Sequence, residues 1–299
     1  MIDYNDKAME NIITRFQHIA EKIFDQLDNR SLVNCREVTS SWQKFIDCKN
    51  LPWIQIVNIP KILKKKDTYW HVASKTGQII ILDMIFEIEQ NFDINTQDEQ
   101  GRTVFHCACM NGHTKIAQRL IQNSVLVNLD LNLKSWNGWT ALHLSCASGQ
   151  SKIVNILIKN SEQFNIELNA KNHYEMTGFH LACDYGHLDI VDLLMKKSTE
   201  LNIELNAKDH CDGTGFHLAC GRGWLRIVQK LLEKSEEVSI DLNDKDINGW
   251  TGFHMACAGG RVDIVDMMIE NAFKVRLCDK NETYCRGSRV PNNVNAKQS

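Results

Sequence analysis

The chain has 299 residues, 43% of them hydrophobic and 24% charged, with a net charge of −3. That balance suits a folded chain of one long array plus a small domain, and it offers no basic patch for nucleic acid, so no nucleic-acid partner is expected. The longest apolar run, Ile79–Leu82, falls far short of the roughly 20 residues of a membrane span, so no membrane association is expected either.

Residues 1–11 form an N-terminal tail in which Asp3, Asp6 and Glu10 interrupt any leader-like stretch. A cytoplasmic and/or nuclear location is therefore expected, with the eleven cysteines as reduced thiols. Residues 12–53 carry helical periodicity. Ile19, Ile23 and Leu27 are spaced by four and line one helix face. Asp28 to Ser31 break that helix and can cap the next, on which Val38, Trp42 and Phe45 form a second stripe. A helical bundle of about 40 residues is marginal alone, and one this apolar often completes its core against a partner.

These residues resemble an F-box. Ile23-Phe24, Leu27, Leu32, Val38, Trp42 and finally Leu51 with Trp53 follow the family spacing, although Phe16-Gln17 replaces the usual opening Leu-Pro. The resemblance implies docking on the Skp adaptor of a cullin-RING ligase through Ile19, Ile23, Phe24, Leu27, Leu32, Val38, Trp42, Leu51 and Trp53. An amphipathic cap on the following array is the alternative reading. Residues 54–66 read as a connector whose basic run, Lys61 to Lys66, is expected to be solvated, with recognition by a partner as the alternative.

From residue 67 to 272 a Thr-x-(aromatic or Leu)-His unit recurs, at Thr68, Thr103, Thr140, Thr177, Thr214 and Thr251. A period of 37 residues, 35 once, signals stacked repeats, here six. Each threonine suits a helix N-cap. A glycine nine residues later, such as Gly186 or Gly223, suits a left-handed end to a short first helix. Val191, Leu194 and Met195, with their counterparts, give the second helix one buried stripe. Polar stretches such as Asn165–Lys171 end in Asp98, Ser135, Asn172, Asp209 or Asp246 and read as projecting turns or hairpins. The unit of Thr68 lacks a clear hairpin, and that of Thr251 runs into a polar tail, residues 273–299, so both look like caps.

The pattern resembles the ankyrin repeat: Thr-x-(Leu/Phe)-His-x-Ala, then Gly, then Val-x-x-Leu-Leu, then Asn-Ala-x-Asp. Two departures stand out. Tyr69, Val104, Ala141, Gly178, Gly215 and Gly252 replace the proline after threonine, leaving the helix start less preorganised. The longer period adds about one helical turn to the connections. The fold class this implies is all-α, a small helical F-box followed by an ankyrin solenoid with short hairpin or turn projections.

Five His-x-x-Cys pairs, from His106/Cys109 to His254/Cys257, lie on the first helices. Zinc needs four ligands about 2.0–2.3 Å away, whereas stacked helices lie about 8–10 Å apart, so no metal site is expected there. A Cys–His nucleophile would have to arise five times over without a cleft. No catalytic residue, no cofactor and no enzyme activity are expected; in the ankyrin family this histidine bonds within its own repeat.

The two resemblances together imply the substrate-recognition subunit of an SCF-type ubiquitin ligase, with Skp and cullin as partners and an unidentified target protein on the repeats. A plain ankyrin scaffold and a microbial or viral effector that borrows a host ligase are the alternatives. Target-binding candidates are the hot-spot residue types that the repeat does not require: Arg102, Trp136, Trp139, Tyr174, Met176 and Trp250 near the turns, and Tyr185, Arg222 and Trp224 beside the inter-helix glycine.

Overall fold

The computed structural model describes residues 69–79, 82 and 93–271. The tail 1–11, the F-box-like segment 12–53 with its adaptor-facing residues, the connector 54–66 and the tail 273–299 lie outside the described residues. Among the described residues every regular element is helical.

The chain divides into two compact units, one ending at Leu193 and the other beginning at Leu194. The first holds α1 (Tyr69–Thr76), α2 (Val104–Met110), α3 (Thr114–Asn123), a 3-10 turn (Trp136–Gly138), α4 (Ala141–Ala147), α5 (Ser151–Lys159), α6 (Ser161–Phe164), α7 (Gly178–Tyr185) and the start of α8 (Leu188–Leu201). The second holds the rest of α8, then α9 (Gly215–Arg222), α10 (Leu225–Lys234), α11 (Gly252–Ala258) and α12 (Val262–Glu270). In the first unit the short helices α1, α2, α4 and α7 pack in sequence, and α3 packs on α5; in the second, α9 packs on α11 and α10 on α12.

Each short helix starts where its threonine predicts. Thr103, Thr140, Thr177, Thr214 and Thr251 are extended N-caps whose hydroxyl faces the backbone N–H of the histidine three residues on. That histidine returns a bond to the cap's own N–H, so it fills the place of glutamate in a capping box. The glycines at the helix ends are left-handed, from φ 65° at Gly260 to 88° at Gly223.

The second helices α3, α5, α8 and α10 bury the expected stripe, whereas in α12 Met268 is buried, Val265 half-buried and Ile269 exposed; one more residue is buried in all five. Ile116, Ile153, Ile190, Ile227 and Ile264, one position before the stripe, are each at most 2% exposed. Each such side chain contributes about 1.5–3 kcal/mol by leaving water, which outweighs the few tenths that helix propensity supplies per residue. Longer connecting loops are expected from the long period; in two copies the added residues are instead helical, as α6 and as the last turn of α8. Buried Ser124, Ser161, Ser198 and Ser235 secure that junction, each hydroxyl donating to the carbonyl three residues back at 2.7–3.1 Å.

One expectation is corrected. The turn after α1 is complete: Ile94 is buried, and Asp98 closes it as its counterparts close the later ones. Asp93-Ile-Asn95 keeps the Asp-Leu-Asn pattern of later copies with isoleucine for leucine. The helix pair at Thr251 exposes Arg261, Asp263, Asp266 and Glu270 together with Val262 (65%) and Ile269 (51%). Cys257 is exposed there, whereas its counterparts Cys109, Cys146, Cys183 and Cys220 are buried.

Candidate protein-binding surface

Five turn tips project between the helix pairs, at residues 98–102, 135–139, 172–176, 209–213 and 246–250. In each, the first residue's N–H donates to the fifth residue's carbonyl at 2.8–3.1 Å. The fourth has positive φ: Gly101, Gly138, Glu175, Asp212 and Gly249. The first side chain is buried. Where it is Asp98, Asn172, Asp209 or Asp246, its Oδ1 accepts from the N–H groups two and four residues on, at 2.7–3.0 Å. A short polar side chain thus replaces the missing backbone partners of the turn.

Neighbouring tips are tied to each other. Within the first unit the Trp136 N–H donates to the Gln100 carbonyl and the His173 N–H to that of Asn137. Within the second, the Ile247 N–H donates to the Cys211 carbonyl. Asn95, Asn132 and Asn206 add side-chain bonds, each amide donating to a carbonyl 33 residues on and accepting from an N–H 35 residues on. The tips are therefore rigid, so residues on them lose little further entropy on binding.

The candidate residues divide by exposure. Trp136 (63%), Tyr174 (49%) and Tyr185 (51%) stand out on the first unit, and Trp224 (41%), Trp250 (38%) and Arg222 are exposed on the second. Met176 is half-buried. Trp139 turns inward, its ring 6.4 Å from that of His143. Arg102 is also inward: Nε and Nη2 donate to Asp98 Oδ2 at 3.0 and 2.8 Å. Burial alone would raise the Asp98 carboxyl, but bonds from Arg102, Gln100 and Lys75 outweigh it and hold Asp98 well below the usual carboxylate range.

Four of the five His/Cys pairs, from His106/Cys109 to His217/Cys220, are buried in the packing. Burial pushes the Cys109, Cys146 and Cys183 thiols well above their usual range. Burial likewise lowers His106 and His143 to about 4. Each of these histidines accepts from its cap N–H at Nδ1, so Nε2 carries the proton. The family expectation of a bond within the repeat is incomplete, because Nε2 reaches the next turn. His106 meets the Trp139 carbonyl at 3.1 Å, His143 that of Met176 at 2.9 Å and His217 that of Trp250 at 3.0 Å. His71 does the same with Arg102 at 2.8 Å.

Sequence reasoning missed a second set of ties. The side chains of His113, Gln150, His187 and Arg261, each just after the inter-helix glycine, bond the carbonyls of Lys75, Met110, Ala147 and Gly221 at 3.0–3.4 Å. They differ in type, so no shared letter marks them. Val125 and Leu126, at 84% and 83% exposure, also went unnoticed. The signal was present: later copies place Glu162-Gln163, Thr199-Glu200 and Glu236-Glu237 there.

A family model described as Ankyrin repeats (3 copies) matches residues 70–172, 130–209 and 179–283. No F-box domain is detected. No curated protein matches the chain.

Proposed function

Because the chain belongs to the ankyrin-repeat family, we propose that it is a non-catalytic receptor that holds a protein partner on its turn tips. Ankyrin repeats imply a protein partner. The observation that carries the reading is the exposure of Trp136 and Tyr174 on adjacent, mutually bonded tips, with Ile247 and Trp250 on a tip of the second unit. Trp and Tyr dominate binding hot spots because they bring large apolar area at small entropic cost.

Residues 12–53 extend the proposal. Their F-box-like spacing supports docking on a Skp adaptor, and through it on the cullin of an SCF-type ligase, in the cytosol or nucleus. The contribution is then positional: the N-terminal segment fixes the chain to the ligase, and the tips raise the target's local concentration near the ubiquitin-charged enzyme. A ligase-free scaffold is the second reading, which the ankyrin repeats support equally.

Purified Skp adaptor separates the two. The full chain is expected to be retained on immobilised adaptor, and Ile23→Asp with Leu27→Asp to abolish retention while the repeats unfold at an unchanged midpoint. Failure of the unmodified chain to bind leaves the scaffold reading.

A further inference from the structure

The tip at residues 209–213 differs chemically from the other four. After the buried first residue the others continue Glu99-Gln100, Trp136-Asn137, His173-Tyr174 and Ile247-Asn248, whereas this one continues His210-Cys211. The turn gathers the three donor groups. A carboxylate oxygen of Asp209, an imidazole nitrogen of His210 and Cys211 Sγ all lie within 4.8 Å of one another. We propose that Asp209, His210 and Cys211 form a zinc-binding site on this tip.

The ligand set fits a borderline-soft divalent ion. Thiolate, neutral imidazole and carboxylate are the three donor types zinc takes, at about 2.3, 2.0–2.1 and 2.0–2.2 Å. A tetrahedral ion at those lengths spaces its ligand atoms by about 3.3–3.6 Å, so closure from the present spacing takes roughly an ångström of side-chain movement. His210 and Cys211 are exposed and can make that movement; Asp209 is buried and supplies the fixed point. Asp209 Oδ1 accepts from the Cys211 and Gly213 N–H groups at 2.8 and 2.9 Å, and a carboxylate has about four lone-pair sites, so these bonds leave capacity for a metal. On binding, Cys211 releases its thiol proton to solvent, and the dianionic ligand pair neutralises the ion. Water or a partner's side chain completes the coordination.

This site is separate from the His/Cys pairs of the short helices, four of which are buried. Its position beside Ile247, whose N–H bonds the Cys211 carbonyl, puts an ion next to exposed residues of the neighbouring tip.

The test uses the full chain under a non-thiol reductant, with zinc alone and a chromophoric zinc chelator as competitor. The unmodified chain is expected to hold one zinc equivalent more than Cys211→Ser and than His210→Ala. Cobalt substitution should give a sulfur-to-metal charge-transfer band that Cys211→Ser removes. Both substituted residues are exposed, so unfolding midpoints should match in the metal-free proteins. Equal zinc stoichiometry in all three proteins, or a cobalt spectrum that Cys211→Ser leaves unchanged, overturns the proposal.

Discussion

Protonating a buried imidazole in these repeats removes its acceptor for the cap N–H and sets two N–H groups against each other. Burial is the largest cause of the low values at His106 and His143, and nearby positive charge adds to it, from Arg102 at His106 and from Lys134 at His143. Both lie at about 4 in the folded chain against 6.5 for the free side chain. The unfolded chain therefore binds more protons between those limits. Stability is complete above the unfolded value and is lost as pH falls from 6.5 towards 4, on the order of 3 kcal/mol for each histidine. Asp98 does not confuse this window, because its contribution is lost only as pH falls below its unfolded value of 3.8. The unfolding midpoint should drop across this window. His143→Ala should cost about 2–4 kcal/mol at pH 7, by opening a cavity and orphaning the Thr140 N–H and the Met176 carbonyl, and it should flatten the pH slope. A midpoint that is level from pH 6.5 to 4 contradicts the ladder.

At the level of helices, glycine at the first position was read in the sequence as a weakened helix start. Packing supplies a different reason. A Cβ on Gly252 would lie 2.6 Å from a Phe216 ring carbon and 3.0 Å from Cys220 Sγ, and one on Gly178 would lie 3.0 Å from Cys146 Sγ. α11 rests on the aromatic ring of α9 where other ankyrin repeats place proline. Gly252→Ala gains helix propensity, about 1 kcal/mol, but forces the ring to shift, at about 1–3 kcal/mol. Net destabilisation is expected in urea unfolding. Gly260→Ala provides the comparison: nothing lies within 4 Å of its added Cβ, and only the left-handed φ of 65° is penalised, by about 1–2 kcal/mol. A stabilised Gly252→Ala protein would show that the helices have room to part. Periodicity exposed the caps, the left-handed glycines and the buried stripe, because each recurs as a letter at a fixed offset. The ring against Gly252 was hidden because closeness between successive repeats is set by backbone approach, which no single copy records.

Across the whole molecule, the repeats were legible because their constraint is repeated; the binding surface was only partly so. Trp136, Tyr174 and Trp250 were named from residue type and proved exposed, but Arg102 and Trp139 have the same hot-spot chemistry and turn inward. Residue type does not say which way a tip side chain points: Trp139 and Trp250 each precede a cap-bonding histidine by four residues, yet only Trp250 is exposed. The central claim is that exposed tip aromatics hold a protein partner without supporting the fold. The most direct measurement pairs affinity capture and mass spectrometry of the full chain with that of a Trp136→Ala, Tyr174→Ala double variant, alongside both unfolding curves. The account predicts unfolding free energies equal within about 0.5 kcal/mol and loss of the partners that the unmodified chain retains, equivalent to a weakening of at least about 2 kcal/mol. Identical partners at equal occupancy, or a variant that unfolds several kcal/mol more easily, would contradict it.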